Sequence, residues 1–175
     1  MPVRLSLSRI PTPSARDGNG VWLTLLACTS ISILSTGLYT PSLPHLAGLL
    51  STDPGTVQLT MSLNLLAFSI AQLAHGPLSD RFGRRRLLLI GLGCYAAASL
   101  VCALAGSIGG LLTGRVAQGA FASVASVVVA VIIREYYGGA KAVAVMGLYG
   151  VTLGFIPALG PIIGGYVFVW FGWRA

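Results

Sequence analysis

The sequence predicts an all-α transmembrane fold with five spanning helices, and three observations predict it. Only 9% of the 175 residues are charged while 55% are hydrophobic, and the mean hydropathy is +0.84. A water-facing surface needs roughly 25% charged residues. Five apolar runs each reach the roughly 20 residues needed to cross ~30 Å of hydrocarbon at ~1.5 Å per residue. Finally, the basic residues are confined to alternate gaps between those runs.

Residues 1–20 read as a polar cytoplasmic leader rich in Pro, Ser and Arg, and residues 21–175 as a transmembrane bundle. The first apolar segment is placed at about 21–43. Arg4, Arg9 and Arg16 precede it as they would a signal peptide, but the run is longer than an h-region and no small-residue cleavage site follows. The second segment is placed at about 56–78, the third at 87–108, the fourth at 111–133 and the fifth at 142–169. In lipid each backbone must satisfy its own hydrogen bonds, so helices are expected. The alternation of barrel strands is absent. Gly109-Gly110 is expected to form the whole connection between the third and fourth helices. Four-residue spacing of Gly106, Gly110 and Gly114, of Gly150 and Gly154, and of Gly160 and Gly164 predicts close helix approach. Trp22, Trp170 and Trp173 stand at segment ends, where aromatic belts form.

Charge placement orients the bundle. The leader, the gap with Arg81, Arg84, Arg85 and Arg86, and the gap with Arg134 and Lys141 hold nearly all the basic residues. The positive-inside rule puts these gaps and the N-terminus in the cytoplasm. A net charge of +7 alone could suggest nucleic acid, but its dispersal in short gaps excludes that reading. Cys28, Cys94 and Cys102 lie inside apolar runs and read as packing residues. His45 and His75 sit at membrane edges with no metal-ligand spacing. Asn64, Gln72 and Gln118 are intramembrane amides, expected to hydrogen-bond between helices. No hydrolase constellation, phosphate loop or metal site is present, so no enzyme and no cofactor is expected.

Three strings carry more information. The gap after the second helix reads Gly76-Pro77-Leu78-Ser79-Asp80-Arg81-Phe82-Gly83-Arg84-Arg85-Arg86. Gly76 would permit packing at a helix end and Gly83 a sharp turn. Asp80 can pair with Arg84 four residues on, or face the positive end of another helix. The plainer reading is a topogenic loop with an incidental acid. The fourth helix opens Leu111-Leu112-Thr113-Gly114-Arg115-Val116-Ala117-Gln118-Gly119. A charge inside the membrane costs about 2.5–3.5 kcal/mol on insertion scales and is a functional candidate, although Arg115 lies only ~7 Å below the outer end, within snorkelling reach. The fifth helix carries Gly154-Phe155-Ile156-Pro157-Ala158-Leu159-Gly160-Pro161-Ile162-Ile163-Gly164-Gly165. Two prolines remove backbone donors and the glycines remove bulk, giving a bent, closely packed helix.

These strings resemble the signatures of the major facilitator superfamily. Gly76–Arg86 is similar to the loop between its second and third helices, which implies a gate involving Asp80, Arg81, Arg84 and Arg85, with Gly76 and Gly83 shaping the turn. Arg115 with Gln118-Gly119 resembles the fourth-helix signature, though Phe121 stands where a second glycine is usual. Gly160-Pro161-x-x-Gly164-Gly165, with Gly154 and Pro157 before it, resembles the antiporter signature of exporters, one family glycine being replaced by Ile156. Tyr39-Thr40-Pro41-Ser42-Leu43-Pro44 resembles a run of bacterial multidrug-efflux members, where an Asp often precedes the Tyr by two; here that position is Gly37.

The resemblance implies the incomplete N-terminal bundle of a major-facilitator fold in the bacterial inner membrane, exporting small organic molecules or drugs in exchange for protons. Full members have about twelve helices in two halves, so the chain reads as truncated and its missing C-terminal half as a partner. The alternative is a non-transporting membrane fragment or an assembly module. No acid lies within a spanning segment, so any main proton carrier is expected elsewhere.

Overall fold

A computed structural model describes residues 15–172, and the described elements are all helical. The first helix, α1, spans Ala15–Tyr39 and passes through a 3-10 turn at Thr40–Ser42 into the short α2, Leu43–Leu49. Four long helices follow: α3 (Pro54–Phe82), α4 (Arg84–Leu104), α5 (Ile108–Tyr137) and α6 (Gly139–Phe171). All four are long and apolar enough to cross a membrane. The leader residues 1–14 lie outside the described residues, as do Trp173 and the side chain of Trp22.

Several boundaries differ from the expectation. α1 begins at Ala15 rather than 21, and α3 runs on to Phe82 rather than 78. Hydrocarbon thickness fixes the length of the apolar run, but a helix continues into the headgroup region until something stops it. At the start of α3 the stop is Asp53, whose carboxylate accepts from the Gly55 and Thr56 amides at 2.7 and 3.3 Å, with Pro54 behind it. At its end the stop is Gly83 at φ 85°. The first apolar run contains a break not foreseen: Pro41 and Pro44 follow Tyr39, and the chain tightens to a 3-10 turn where their missing donors fall.

Gly109-Gly110 is not the third connection. α5 already starts at Ile108, and Ala105–Ser107 makes the link. Ser107 caps α5, its Oγ accepting from the Gly110 amide at 3.3 Å, so the glycines fall in the first helical turn. The next connection is Gly138 alone, at φ 58°.

The helices surround α5. It packs against α1, α3, α4 and α6, and α1 pairs with α6. Half of the apolar window of α5 is buried, against 17–28% for α3, α4 and α6, which identifies it as the central helix. Val124, Val128, Val129 and Ile133 pack along its C-terminal half. At the other end Tyr39, Leu46, Val57, Cys102 and Leu111 form a separate cluster under α2. Leu73, Leu89, Leu100, Phe155 and Val169 point outward, where lipid tails receive them without cost.

Candidate functional site

Two groups of predicted residues need separate placing. The first surrounds the α3–α4 turn. Asp80 is exposed, with one carboxylate oxygen 3.7 Å from Arg84 Nη2. The pairing spans the Gly83 turn instead of lying on one continuous helix. The other Arg84 nitrogen pairs with Glu135 at the end of α5, so the turn is tied to the central helix. Nothing in the sequence spacing of Glu135 identifies a partner on α4. Arg81 lies over the Phe82 ring at 5.7 Å, and Arg85 is exposed. A side chain at Gly76 would meet nothing within 4 Å among the described residues. Ser79, three residues on, is buried with no hydrogen-bond partner for its Oγ.

The second group lies inside the bundle. Arg115 is only 8% exposed. The interior placement, and not snorkelling, describes it. Its guanidinium carbon stands 3.4 Å from the centre of the Tyr39 ring, and Nη1 donates to Gln118 Oε1 at 2.9 Å. A desolvated cation–π contact contributes about 2 kcal/mol and a hydrogen bond to a charged group about 1.5–3. Together these offset the insertion cost of about 2.5–3.5 kcal/mol without any counter-ion. Among the described residues Arg115 makes no ion pair, and its Nε is buried without a partner.

Gln118 is the hub. It donates to Ser99 of α4 at 2.8 Å and to Ser35 of α1 at 3.5 Å. Asn64 of α3 donates to the Arg115 carbonyl at 2.8 Å. Gly119 allows that approach, since a methyl there would collide with the Asn64 carbonyl. The expected amide bonding therefore occurs for Asn64 and Gln118, whereas Gln72 is exposed. Sequence reading missed Ser35 and Ser99 and did not link Tyr39 to Arg115; hydroxyls on two helices near an intramembrane Arg are the signal that was available. Ser123 of α5, also unmarked, hydrogen-bonds His75 Nδ1 at 2.8 Å.

The glycine–proline helix divides in two. Gly160 and Gly164 are buried on α1: a methyl at Gly160 would lie 2.6 Å from the Gly37 Cα, and one at Gly164 2.5 Å from the Leu38 carbonyl oxygen. Gly154, Gly150 and Gly165 meet nothing within 4 Å, and neither does Gly106. Four-residue spacing thus predicts close approach for only one of the three sets in full, with Gly114 alone of its set against another helix, at Cys102. Pro157 and Pro161 lie within the continuous α6.

Two cavities flank this centre. One, of about 180 Å³, is lined by Arg115, Tyr39, Gln118, Ser99, Cys102 and Phe168 among others. The other, of about 330 Å³, lies between α1, α3, α4, α5 and α6, with Thr36, Asn64, Phe68, Tyr95, Pro157 and Pro161 on its walls. Ser35 and Gln118 border both.

A family model described as Major Facilitator Superfamily matches residues 25–175. The chain belongs to that superfamily. It is 38% identical over 146 residues to the chloramphenicol resistance protein of Pseudomonas aeruginosa, covering 83% of this chain and 35% of that protein. It is 29% identical over 153 residues to multidrug resistance protein D of Escherichia coli, covering 87% of this chain and 39% of that protein. The same identity and span relate it to a bicyclomycin resistance protein homolog of Haemophilus influenzae, 38% of whose length is covered. The chain therefore spans little more than a third of these curated relatives. This facilitator is a multi-pass membrane protein whose family members are transporters.

Proposed function

We propose that these residues form the N-terminal bundle of an exporter of small organic molecules in the bacterial cytoplasmic membrane, with the N-terminus in the cytoplasm. One observation carries the reading: a hydroxyl- and aromatic-lined cavity of about 330 Å³ inside the bundle, bordered by a buried Arg–Gln–Ser network. That volume lies in the range of small-molecule sites. Relatives named for resistance to chloramphenicol, bicyclomycin and multiple drugs support the same reading. A facing C-terminal half would close the cavity, since alternating access needs two bundles rocking about a central site.

In this reading Gly76, Asp80, Arg81, Gly83, Arg84 and Arg85 make a cytoplasmic gate, and Glu135 belongs with them because Arg84 holds both acids. Gly160 and Gly164 let α6 slide on α1, while Gly154, Pro157, Pro161 and Gly165 are free to meet the facing half. Protons would drive the exchange. The acids with described side chains, Asp53, Asp80 and Glu135, lie at helix ends, so the main proton carrier would come from outside this bundle.

The test is accumulation of radiolabelled chloramphenicol in an efflux-deficient bacterium expressing the whole protein from its own gene. Lower accumulation than in the empty-vector strain, restored by a protonophore, is expected. Equal accumulation for chloramphenicol, bicyclomycin and a panel of other drugs would instead favour a membrane segment that assembles without transporting.

A further inference from the structure

Among the described residues no carboxylate neutralises the positive charge in the Arg115 cavity. The guanidinium has five N–H donors. One is engaged by the neutral Gln118 oxygen, and the buried Nε has no partner. The groups facing it from the packed helices are Tyr39 of α1, Ser99 and Cys102 of α4, and Phe168 of α6. None of these is a carboxylate. At Gly37, two positions before Tyr39, any side chain would collide with Gly160, so an acid there is also precluded by packing. A desolvated cation with spare donors is an anion site by its chemistry.

The second cavity has the opposite character. Its lining, from Ile33, Leu65 and Phe68 to Tyr95, Ala122 and the two prolines, carries no formal charge. Ser35 and Gln118 form the border between the two, and their long 3.5 Å contact is what a ligand reaching from one into the other must part. We infer that, among the small organic molecules this facilitator takes, amphiphilic anions bind most tightly, with the acidic group at Arg115 and the apolar body between α1, α3, α4, α5 and α6. The inference rests on the exporter reading and narrows its substrate class. Charge selects the headgroup; shape and apolar surface hold the remainder.

Three isosteric probes test it: 4-phenylbenzoate, 4-phenylbenzamide and 4-phenylbenzylammonium, binding to the whole protein at pH 8. The protein is held in nanodiscs containing phosphatidylglycerol, so that a lipid phosphate competes for the same site throughout. The carboxylate is expected to bind at least about 10-fold more tightly than the amide, equivalent to ~1.4 kcal/mol, and the ammonium most weakly. Arg115→Gln should remove the preference and Arg115→Lys should keep most of it. Carboxylate and amide binding within about 2-fold of each other in the wild type would overturn the inference; that would mean that a carboxylate elsewhere in the protein, or the lipid, already occupies Arg115. The wild-type comparison decides this even if the variants fail to fold. Drug efflux without carboxylate preference would sink this inference and spare the exporter. A preference for carboxylate with no efflux of any compound would do the reverse.

Discussion

Replacing Gly37 with Ala probes the seam between α1 and α6 directly. The added methyl carbon would stand 2.8 Å from the Gly160 Cα and 3.4 Å from its carbonyl carbon. Carbon atoms pack best at roughly 3.5–4.0 Å, so the two helices must part by about 0.7–1.2 Å. The obstacle is backbone on both sides, which has no rotamer to adopt. Overpacking of this kind costs about 1–3 kcal/mol, and in lipid the loss is not softened by a hydrophobic drive, because helix association there depends on close packing. Unfolding of the whole protein in mixed micelles, followed by circular dichroism as dodecyl sulfate is increased, would read the loss. Gly160→Ala and Gly164→Ala should behave alike. Gly93→Ala and Gly150→Ala, which meet nothing within 4 Å among the described residues, should lose no stability, because Ala is the better helix former. The double variant at 37 and 160 should cost less than the sum of the singles, since both break one contact. Equal stability for the packed and the open glycines would refute the seam.

Other expectations follow from the same geometry. Asp80→Asn should reduce drug efflux at least several-fold with membrane abundance unchanged, and Glu135→Gln should do likewise; normal efflux by both would leave the α3–α4 turn a topogenic loop. Asn64→Leu removes the side-chain donor that ties α3 to the Arg115 carbonyl, which keeps its own bond within α5, and should destabilise by about 0.5–1.5 kcal/mol in the dodecyl sulfate titration; unchanged stability would mean the hydrogen bond contributes nothing net. A reporter active only in the cytoplasm should be active when fused after Arg86 or Lys141 and silent after Thr52 or Gly106; the opposite pattern would invert the proposed orientation.

The amino-acid sequence by itself determined that this protein is helical and lives in lipid. Apolar runs of spanning length and basic gaps are local properties, and a helix in hydrocarbon satisfies its backbone without help from its neighbours. The short strings at Gly76–Arg86, around Arg115 and around Gly160-Pro161 were equally legible, because a family signature is a run of adjacent residues. Helix ends were less so: Asp53, Ser107 and Gly138 bound their helices by caps and turns, which hydropathy does not detect.

Tertiary structure alone decided which of those residues act together. Four-residue glycine spacing marks a helix face, but whether another backbone lies opposite depends on the neighbour, so Gly160 and Gly164 are packed while Gly150 and Gly154 are open. Glu135 joins Arg84 only because α5 ends beside the start of α4. Arg115 is a buried cation on Tyr39 and Gln118, not a snorkelling one, because α1 turns its tyrosine under the central helix. A one-dimensional pattern fixes what a segment can bury; only the packing of distant segments fixes what each buried group finds there.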